Sequence, residues 1–160
     1  MNSTGTDLLD ISNGSSARRT KLKHAEITEG IIGAFYEVYN ELGHGFLESV
    51  YRDALSFALR SKGLHVDRER AVHVRFRGQV VGIFRTDLVV QQSVIVELKC
   101  SRTIDRAHEA QLLNYLKATE FEVGLLLNFG VRPQFRRMLL DNNQKKIREN
   151  PCQSVVDCLS

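Results

Sequence analysis

The sequence lacks the features that mark disulfide-rich, zinc-binding or membrane-embedded proteins. Its three cysteines, Cys100, Cys152 and Cys158, are odd in number and have no C-x-x-C spacing, so neither a disulfide framework nor a zinc site is indicated. No apolar run approaches the roughly 18 residues that span a bilayer, and the N-terminus has neither a basic nor an apolar signal segment. We therefore expect a cytoplasmic protein with free thiols and no membrane partner.

Several classes of catalytic site are missing as well. The glycines and serines form no phosphate-cradling loop and no nucleophile elbow. His44, His73 and His108 share no metal-ligand spacing. A length of 160 residues with 42% apolar and 26% charged content suits a single domain with its own core.

Positive charge is concentrated at the two ends of the chain. Residues 1–24 hold four Lys and Arg against two Asp and Glu, residues 131–160 hold six against three, and the middle holds twelve against fourteen. Basic ends around an acidic middle suit a metal site flanked by phosphate contacts, and they equally suit ordinary solubilising charge on tails. We predict a disordered basic tail over residues 1–24, a folded domain over 25–141 and a polar tail over 142–160.

Apolar spacing predicts two helices at the start of the domain. The first runs from about Ala25 to Leu42 and the second from about Leu47 to Ser61, with Gly63 ending it in a left-handed turn. The predicted apolar stripe of the second helix consists of Leu47, Val50, Ala54, Phe57 and Ala58.

The period then changes from helical to two, which predicts strands. These strands run from Val72 to Phe76, from Val80 to Val90 and from Val94 to Cys100. Asp105 is placed to cap a helix from about Arg106 to Thr119, and the apolar run from Val123 to Phe129 is typical of a strand covered on both faces. Residues beyond Pro133 suit either a last strand or a short helix. Together, these predicted elements indicate a mixed α/β fold in a single domain.

The informative stretch is the predicted hairpin around Gln91-Gln92-Ser93. A three-residue turn pairs Val90 with Val94 and places Asp87 opposite Glu97. The same register puts charged residues on one face and apolar ones on the other. The charged face would hold Arg85, Asp87, Glu97 and Lys99, and the apolar face Phe84, Leu88, Val90, Val94, Val96 and Leu98.

Two adjacent carboxylates repel unless a cation binds between them or one takes up a proton. Hard oxygen ligands suit Mg²⁺ or Mn²⁺, and such a metal beside Lys99 indicates phosphodiester hydrolysis. An E-x-K sequence on a strand is also typical of an exposed ion pair without function. The placement of Asp87 in register between apolar strands favours the metal site.

These residues resemble those of a known family. Asp87 with Glu97-Leu98-Lys99 is similar to the signature of the PD-(D/E)xK nuclease superfamily, although no proline precedes Asp87. The stretch from Gly45 to Tyr51, G-F-L-E-S-V-Y, matches the motif of the GxxExxY proteins, a small family of that type. The resemblance covers roughly residues 24–135.

The resemblance implies a restriction-endonuclease-like αβββαβ core, a mixed sheet flanked by helices, with a metal held by Asp87 and Glu97. It also implies that Glu48 is a further acid near the metal, where an alternative is a helical pair with Arg52. Gln111 and Tyr115 look like the Q-x-x-x-Y element of RecB-type nucleases, in which the glutamine helps position the site. The alternative for this pair is the polar edge of an amphipathic helix with the tyrosine in the core.

The leading hypothesis is a Mg²⁺-dependent or Mn²⁺-dependent deoxyribonuclease. Asp87 and Glu97 bind metal, Lys99 assists the attacking water, and Glu48 and Gln111 support the site. Nucleic acid, most simply DNA, is the expected partner, with contacts from Arg85, Arg102 and Tyr115. Action as a homodimer or with a partner protein is a further expectation. The alternative is a catalytically silent module that binds nucleic acid or protein, which the slightly acidic middle of the chain favours.

Overall fold

The computed structural model describes residues 23–145. The predicted tail up to residue 22 and the C-terminal tail beyond residue 145 lie outside the described residues, so the predicted domain limits stay a prediction. The elements in chain order are α1 (Ala25–Leu42), α2 (Glu48–Ser61), β1 (Val66–Arg68), β2 (Ala71–Phe76), β3 (Gln79–Arg85), β4 (Leu88–Val90), β5 (Val94–Lys99), α3 (Arg106–Ala118), β6 (Val123–Asn128), β7 (Gln134–Leu139) and a 3₁₀ turn (Asn142–Gln144). The two early helices, the capped third helix and the buried strand are confirmed.

Five strands form one mixed sheet in the order β1-β4-β5-β6-β7. Strands β5 and β6 are parallel and joined through α3, whereas the other neighbouring pairs are antiparallel. A parallel pair needs a crossover of this kind, because a tight turn cannot return the chain to the same end of the sheet. The run α2-β1-β4-β5-α3-β6 is the αβββαβ core, so the expected restriction-endonuclease-like α/β fold is confirmed.

Helices cover both faces of the sheet. On one face, α1 and α2 pack against the even-numbered residues of β4 and β5, including Leu88, Val96 and Leu98. On the other face, α3 packs Leu112 and Leu116 against residues that include Val89, Ile95 and Leu126. Because side chains alternate along a strand, Glu97 points to the same face as Ile95, towards α3.

The predicted strand from Val80 to Val90 is wrong in one respect, because the chain changes sheet within it. Strands β2 and β3 form a separate two-stranded sheet, and the main sheet resumes only with β4. The crossing is fixed by backbone hydrogen bonds from Thr86 N to the Arg70 carbonyl and from Glu69 N to the Asp87 carbonyl. No proline or glycine marks this point, and β1 is only three residues long, too short to show a period.

The apolar stripe predicted for α2 is also wrong. Leu47 and Phe57 are 75% and 76% exposed, whereas Tyr51, Leu55 and Leu59 are fully buried. Both sets have helical spacing, but the second is regular at i, i+4, i+8 and faces the sheet. Of the predicted stripe, Ala58 is buried. The left-handed turn at Gly63 is confirmed, with φ of 80°.

Within residues 23–145, none of the helices has the length and apolar character that a membrane crossing requires.

Candidate active site

The candidate site lies where β5 ends, beside the start of β4. A three-residue turn joins the two strands, Val90 pairs with Val94 and Leu88 pairs with Val96, as predicted. Asp87 is the residue just before β4, one position beyond the last pair and opposite Glu97. Its Oδ2 accepts a hydrogen bond of 2.8 Å from the Leu98 backbone N–H, so its side chain reaches across to β5.

Glu97 is the buried carboxylate of the site, with 5% of its surface exposed. One oxygen, Oε1, lies 3.1 Å from Lys99 Nζ, and the other, Oε2, is buried without a hydrogen-bond partner among the described residues. Burial and the negative charge of Asp87 raise the pKa of Glu97 to about 7, although Lys99 opposes the shift. A buried carboxylate oxygen with no donor is in an unfavourable state that a bound cation would relieve.

Lys99 stays a charged donor despite its partial burial. Burial favours the neutral amine, but the adjacent Glu97 carboxylate favours the ammonium more, and the pKa of Lys99 rises. Glu97 and Lys99 thus share one face, as predicted, and form an ion pair of 3.1 Å with 6% and 15% of their side chains exposed.

Asp87 is held by a residue that the predicted site did not include. Arg52 of α2 lies 3.4 Å from Asp87 Oδ1 and 3.5 Å from Glu69 Oε1. The sequence pattern suggested Arg52 only as a helical partner of Glu48. Its actual partners come from residues 69 and 87, which no local pattern connects to it.

Glu48 begins α2 and points towards the end of β5. Its Oε1 accepts a hydrogen bond of 3.3 Å from the Cys100 backbone N–H. Its charge contributes to the raised pKa values of Glu97 and Lys99, which places it in the electrostatic neighbourhood of the site. Burial, then the Glu48 charge, raises the pKa of the neighbouring Cys100 thiol to about 11, so this exposed cysteine stays protonated at neutral pH.

Gln111 and Tyr115 occupy the face of α3 that borders the site. Gln111 Nε2 donates a hydrogen bond of 2.6 Å to Tyr115 Oη. The Tyr115 ring stacks on Phe84 of β3, with 3.8 Å between centroids and 9° between planes. Burial, together with the charge of Glu97, raises the pKa of Tyr115. The predicted position of Phe84 on the apolar face with Leu88 is therefore wrong, since Phe84 lies on the α3 side.

The two predicted arginine contacts lie apart. Arg85 is exposed at the end of β3, and its guanidinium donates to the Glu69 carbonyl at 3.2 Å. Arg102 is exposed in the loop after β5 and lines a cavity of about 430 Å³ together with Phe46, Cys100 and Gly130, among others. The structure thus brings Glu48, Asp87, Glu97, Lys99 and Tyr115 into one electrostatic neighbourhood, with Gln111 bonded to Tyr115. The prediction that Arg85 shares the charged face of Glu97 and Lys99 is wrong, because Arg85 belongs to the separate β2–β3 sheet.

A metal at this site would rest on two carboxylates. Between residues 23 and 145, no group of three or more His, Cys, Asp and Glu side chains is arranged as a complete ligand set. Asp87 and Glu97 nevertheless fit a hard divalent cation, because their charges repel and Glu97 Oε2 lacks a donor. Such a cation accepts water and phosphate oxygens as its remaining ligands. Glu48 as a third ligand stays a prediction.

Asn128 is a second residue that the predicted site did not include. Its fully buried amide clamps the loop after β5, accepting from Ser101 N–H at 2.9 Å and donating to the Ser101 carbonyl at 2.9 Å. Asn128 lies next to Lys99 in the parallel β5–β6 register. The sequence feature that could have indicated its role is that Asn128 is the one polar residue of β6, at the end of an otherwise apolar strand.

Comparison with known proteins identifies one family. The sequence profile of the PD-(D/E)XK nuclease superfamily matches residues 25–138. No curated protein matches the chain significantly. Among solved structures, the crystal structure of SSO0001 is similar, with 21% identity and a TM-score of 0.46 over 74% of this chain. The aligned region spans 59% of that structure.

Proposed function

The chain belongs to the PD-(D/E)XK nuclease superfamily, and from this premise we propose that it is a metal-dependent nuclease that hydrolyses phosphodiester bonds of DNA. The observation that carries the proposal is the pair of acidic side chains, Asp87 and Glu97, brought together on adjacent strands beside the Lys99 ammonium. This arrangement has two candidate ligands for a cation and one positively charged hydrogen-bond donor. Phosphodiester hydrolysis uses a bound metal and a cationic side chain of this kind to stabilise charge on the phosphate.

Asp87 and Glu97 would hold Mg²⁺ or Mn²⁺, with Glu48 as a supporting acid. When bound, such a metal polarises the phosphate and lowers the pKa of its water. Lys99 is protonated at neutral pH, so its role is to orient the attacking water and stabilise negative charge on the phosphate, not to act as the base. Leu98 N–H fixes one oxygen of Asp87 and so sets the direction of the other.

Gln111 and Tyr115 would position the site and the substrate. The Tyr115 hydroxyl is held by Gln111, while its ring is held by Phe84, so the pair has little rotational freedom. Arg85 and Arg102 are exposed and suit contacts with the phosphate backbone.

Membership of the GxxExxY family is part of the same proposal. Its support is the stretch from Gly45 to Tyr51, in which Glu48 reaches Cys100 N–H and the Tyr51 hydroxyl donates to the Gly43 carbonyl at 2.7 Å. Action as a homodimer or with a partner protein is likewise proposed. Its support is the exposure of large apolar side chains such as Phe46 and Leu47, which are 49% and 75% exposed.

A cleavage assay tests the proposal. Labelled single-stranded, duplex and flapped DNA, with matched RNA, are incubated with Mg²⁺, Mn²⁺ or EDTA. We expect metal-dependent cleavage of DNA that is lost in Asp87→Asn and Lys99→Met proteins and retained in Lys117→Met, which removes a surface charge from the last turn of α3. Full activity in either site variant would show that the assignment is wrong.

A catalytically silent binding module is the second candidate, and one observation favours it. Each carboxylate already has a cationic partner, Arg52 for Asp87 and Lys99 for Glu97, which could neutralise the pair without metal. Calorimetric titration with Mn²⁺ separates the two. A nuclease binds Mn²⁺ in a manner that Asp87→Asn abolishes, whereas a silent module shows no heat that depends on Asp87.

A further inference from the structure

A hairpin without acidic residues projects from the domain beside the candidate active site. Residues 71–85, called here the basic hairpin, comprise β2, the turn at Arg77-Gly78 and β3. They contain three arginines, Arg75, Arg77 and Arg85, together with His73, and no Asp or Glu. The hairpin forms its own sheet and is not needed to complete the five-stranded one. Its positive charge stands in a part of the chain that is otherwise slightly acidic.

Two of these arginines form no ion pair with a carboxylate among the described residues. Within residues 23–145, Arg77 and Arg85 have no carboxylate partner. Arg77 lies over the Phe76 ring at 5.2 Å, and Arg85 donates to a backbone carbonyl. Among the other described arginines, those at positions 52, 68, 70 and 136 are ion-paired, and those at positions 60, 102, 106, 132 and 137 are not. The hairpin differs from the rest of the described chain in that its arginines lie together on a segment without Asp or Glu. The hairpin therefore presents positive charge that fits an external polyanion.

The outer face of the hairpin is apolar between its charges. Val81 and Ile83 are 61% and 63% exposed, and the register pairs Ile83 with His73 on that face. Val72 and Phe84 occupy the opposite face, which packs towards α3. A two-stranded ribbon has a width that the major groove of duplex DNA admits, where apolar side chains can contact thymine methyl groups.

The hairpin is fixed relative to the candidate active site by its inner face. Phe84 stacks on Tyr115, and the Tyr115 hydroxyl accepts from Gln111 on the same helix. At its base, Thr86 N–H donates to the Arg70 carbonyl, one residue before Asp87. A duplex that contacts the hairpin is thus held next to the two carboxylates.

We propose that the basic hairpin is a binding element for duplex DNA, lying in the major groove with Arg77 and Arg85 on phosphates. This inference deepens the proposed function and rests on it for the identity of the polyanion. It assigns the substrate class as double-stranded, and it assigns the contact to a segment outside the αβββαβ core.

Fluorescence anisotropy tests the proposal in EDTA, so that binding is measured without cleavage. A short labelled duplex and the corresponding single strand are titrated with the full chain, Arg77→Gln, Arg77→Gln/Arg85→Gln and Lys62→Gln. Lys62 is the matched control, since it is exposed and paired to Glu37 at 2.7 Å at the far end of α2. We expect roughly tenfold weaker duplex binding for each hairpin arginine removed, and a salt dependence reduced by about one ion per arginine. The control keeps the affinity of the unmodified chain.

Each outcome decides the proposal. If the arginine variants lose more affinity for the single strand than for the duplex, the duplex assignment is wrong. If Lys62→Gln loses as much duplex affinity as Arg77→Gln, the loss reflects net charge and the hairpin proposal is wrong. Light scattering of Ile83→Ser adds a second readout. If that variant dissociates a dimer while the arginine variants bind duplex normally, the hairpin is a self-association surface. If the chain binds duplex through the hairpin yet cleaves nothing with Mg²⁺ or Mn²⁺, the nuclease proposal fails and the hairpin proposal stands.

Discussion

The Arg52 guanidinium and the Asp87 carboxylate form an ion pair, with 3.4 Å between Nη1 and Oδ1, at the edge of the candidate active site. Both side chains are largely buried, with 20% and 17% exposed. Arg52 therefore supplies positive charge at Oδ1, whereas the other oxygen, Oδ2, accepts from Leu98 N–H. In the metal-free protein, it offsets part of the repulsion between Asp87 and Glu97.

Replacing Arg52 should destabilise the metal-free protein more than the metal-bound one. Arg52→Gln leaves Asp87 beside Glu97 without the nearby guanidinium, and we expect a loss of about 2 kcal/mol in EDTA. Added Mn²⁺ supplies the missing positive charge and should shrink that loss. Urea denaturation in both conditions measures the difference. Arg68→Gln is the control, because Arg68 pairs with the exposed Asp53 and should cost at most about 0.5 kcal/mol. Equal losses for the two variants would contradict the role of Arg52.

The pKa of Glu97 predicts a pH-dependent stability. Its folded value of about 7 lies above its ordinary value of 4.5, so between these pH values the folded state holds a proton that the unfolded state has released. Stability is thus lost as pH rises through this window, by about 3 kcal/mol in total at about 1.4 kcal/mol per pH unit. Glu97→Gln removes the loss. In EDTA, we expect the variant to match the unmodified chain near pH 4.5 and to exceed it by that amount at pH 8.

Urea denaturation at several pH values checks the Glu97 prediction. Glu37→Gln, which removes an exposed carboxylate paired with Lys62, serves as the control and should show no such trend. A difference between Glu97→Gln and the unmodified chain that is the same at pH 5 and pH 8 would contradict the raised pKa.

Removing the Phe84 ring should loosen the basic hairpin. Phe84→Ala deletes the stack on Tyr115, and we expect a stability loss of about 2 kcal/mol with faster hydrogen exchange in residues 71–85. Phe57→Ala is a matched control, since Phe57 is 76% exposed and should change stability by no more than about 0.5 kcal/mol. Unchanged exchange in the hairpin of Phe84→Ala would mean that other contacts hold it.

Gly130 allows the loop after β5 to approach the end of β6. A Cβ at this position would lie 2.1 Å from the Ser101 carbonyl oxygen, a backbone atom that cannot move alone. Gly130→Ala should therefore cost about 3 kcal/mol and displace the Asn128 clamp. Gly33→Ala gives the opposite expectation, because nothing lies within 4 Å of a Cβ there and a helical alanine is favoured by about 0.5 to 1 kcal/mol. Thermal unfolding of both variants tests the contrast.

Local patterns predicted the parts of the site that one hairpin carries. The alternation around Glu97 and Lys99, together with the three-residue turn, was enough to place Asp87 opposite Glu97. The face of Phe84 was wrong because the register was extended past Thr86, where the chain leaves the main sheet. Phe84 and Leu88 keep the same parity through that point, although the chain passes there from the two-stranded sheet to the five-stranded sheet, which is covered on both faces.

Contacts between distant segments were beyond local patterns. Arg52 and Asp87 are 35 residues apart, and Asn128 and Ser101 are 27 apart. The position of one relative to the other depends on how α2 and β6 pack on the sheet. The buried stripe of α2 was missed for the same reason: two helical stripes compete in its sequence, and only the sheet decides which one it covers.

The buried Tyr51 shows that the G-x-x-E-x-x-Y motif contains a residue that stabilises the fold. Its hydroxyl closes the turn before α2 by donating to the Gly43 carbonyl, and its ring stacks on Phe129 at 4.2 Å. Tyr51 thus connects the helices to the end of β6 and has a structural role. Of the motif residues, Glu48 is the one whose charge acts on Glu97. Another chain that carried these letters would be expected to share the scaffold, even if its Asp87 or Lys99 counterpart had been replaced. The presence of this motif in another protein would therefore indicate a similar fold. Whether that protein is an active nuclease would have to be judged from the residues that correspond to Asp87, Glu97 and Lys99.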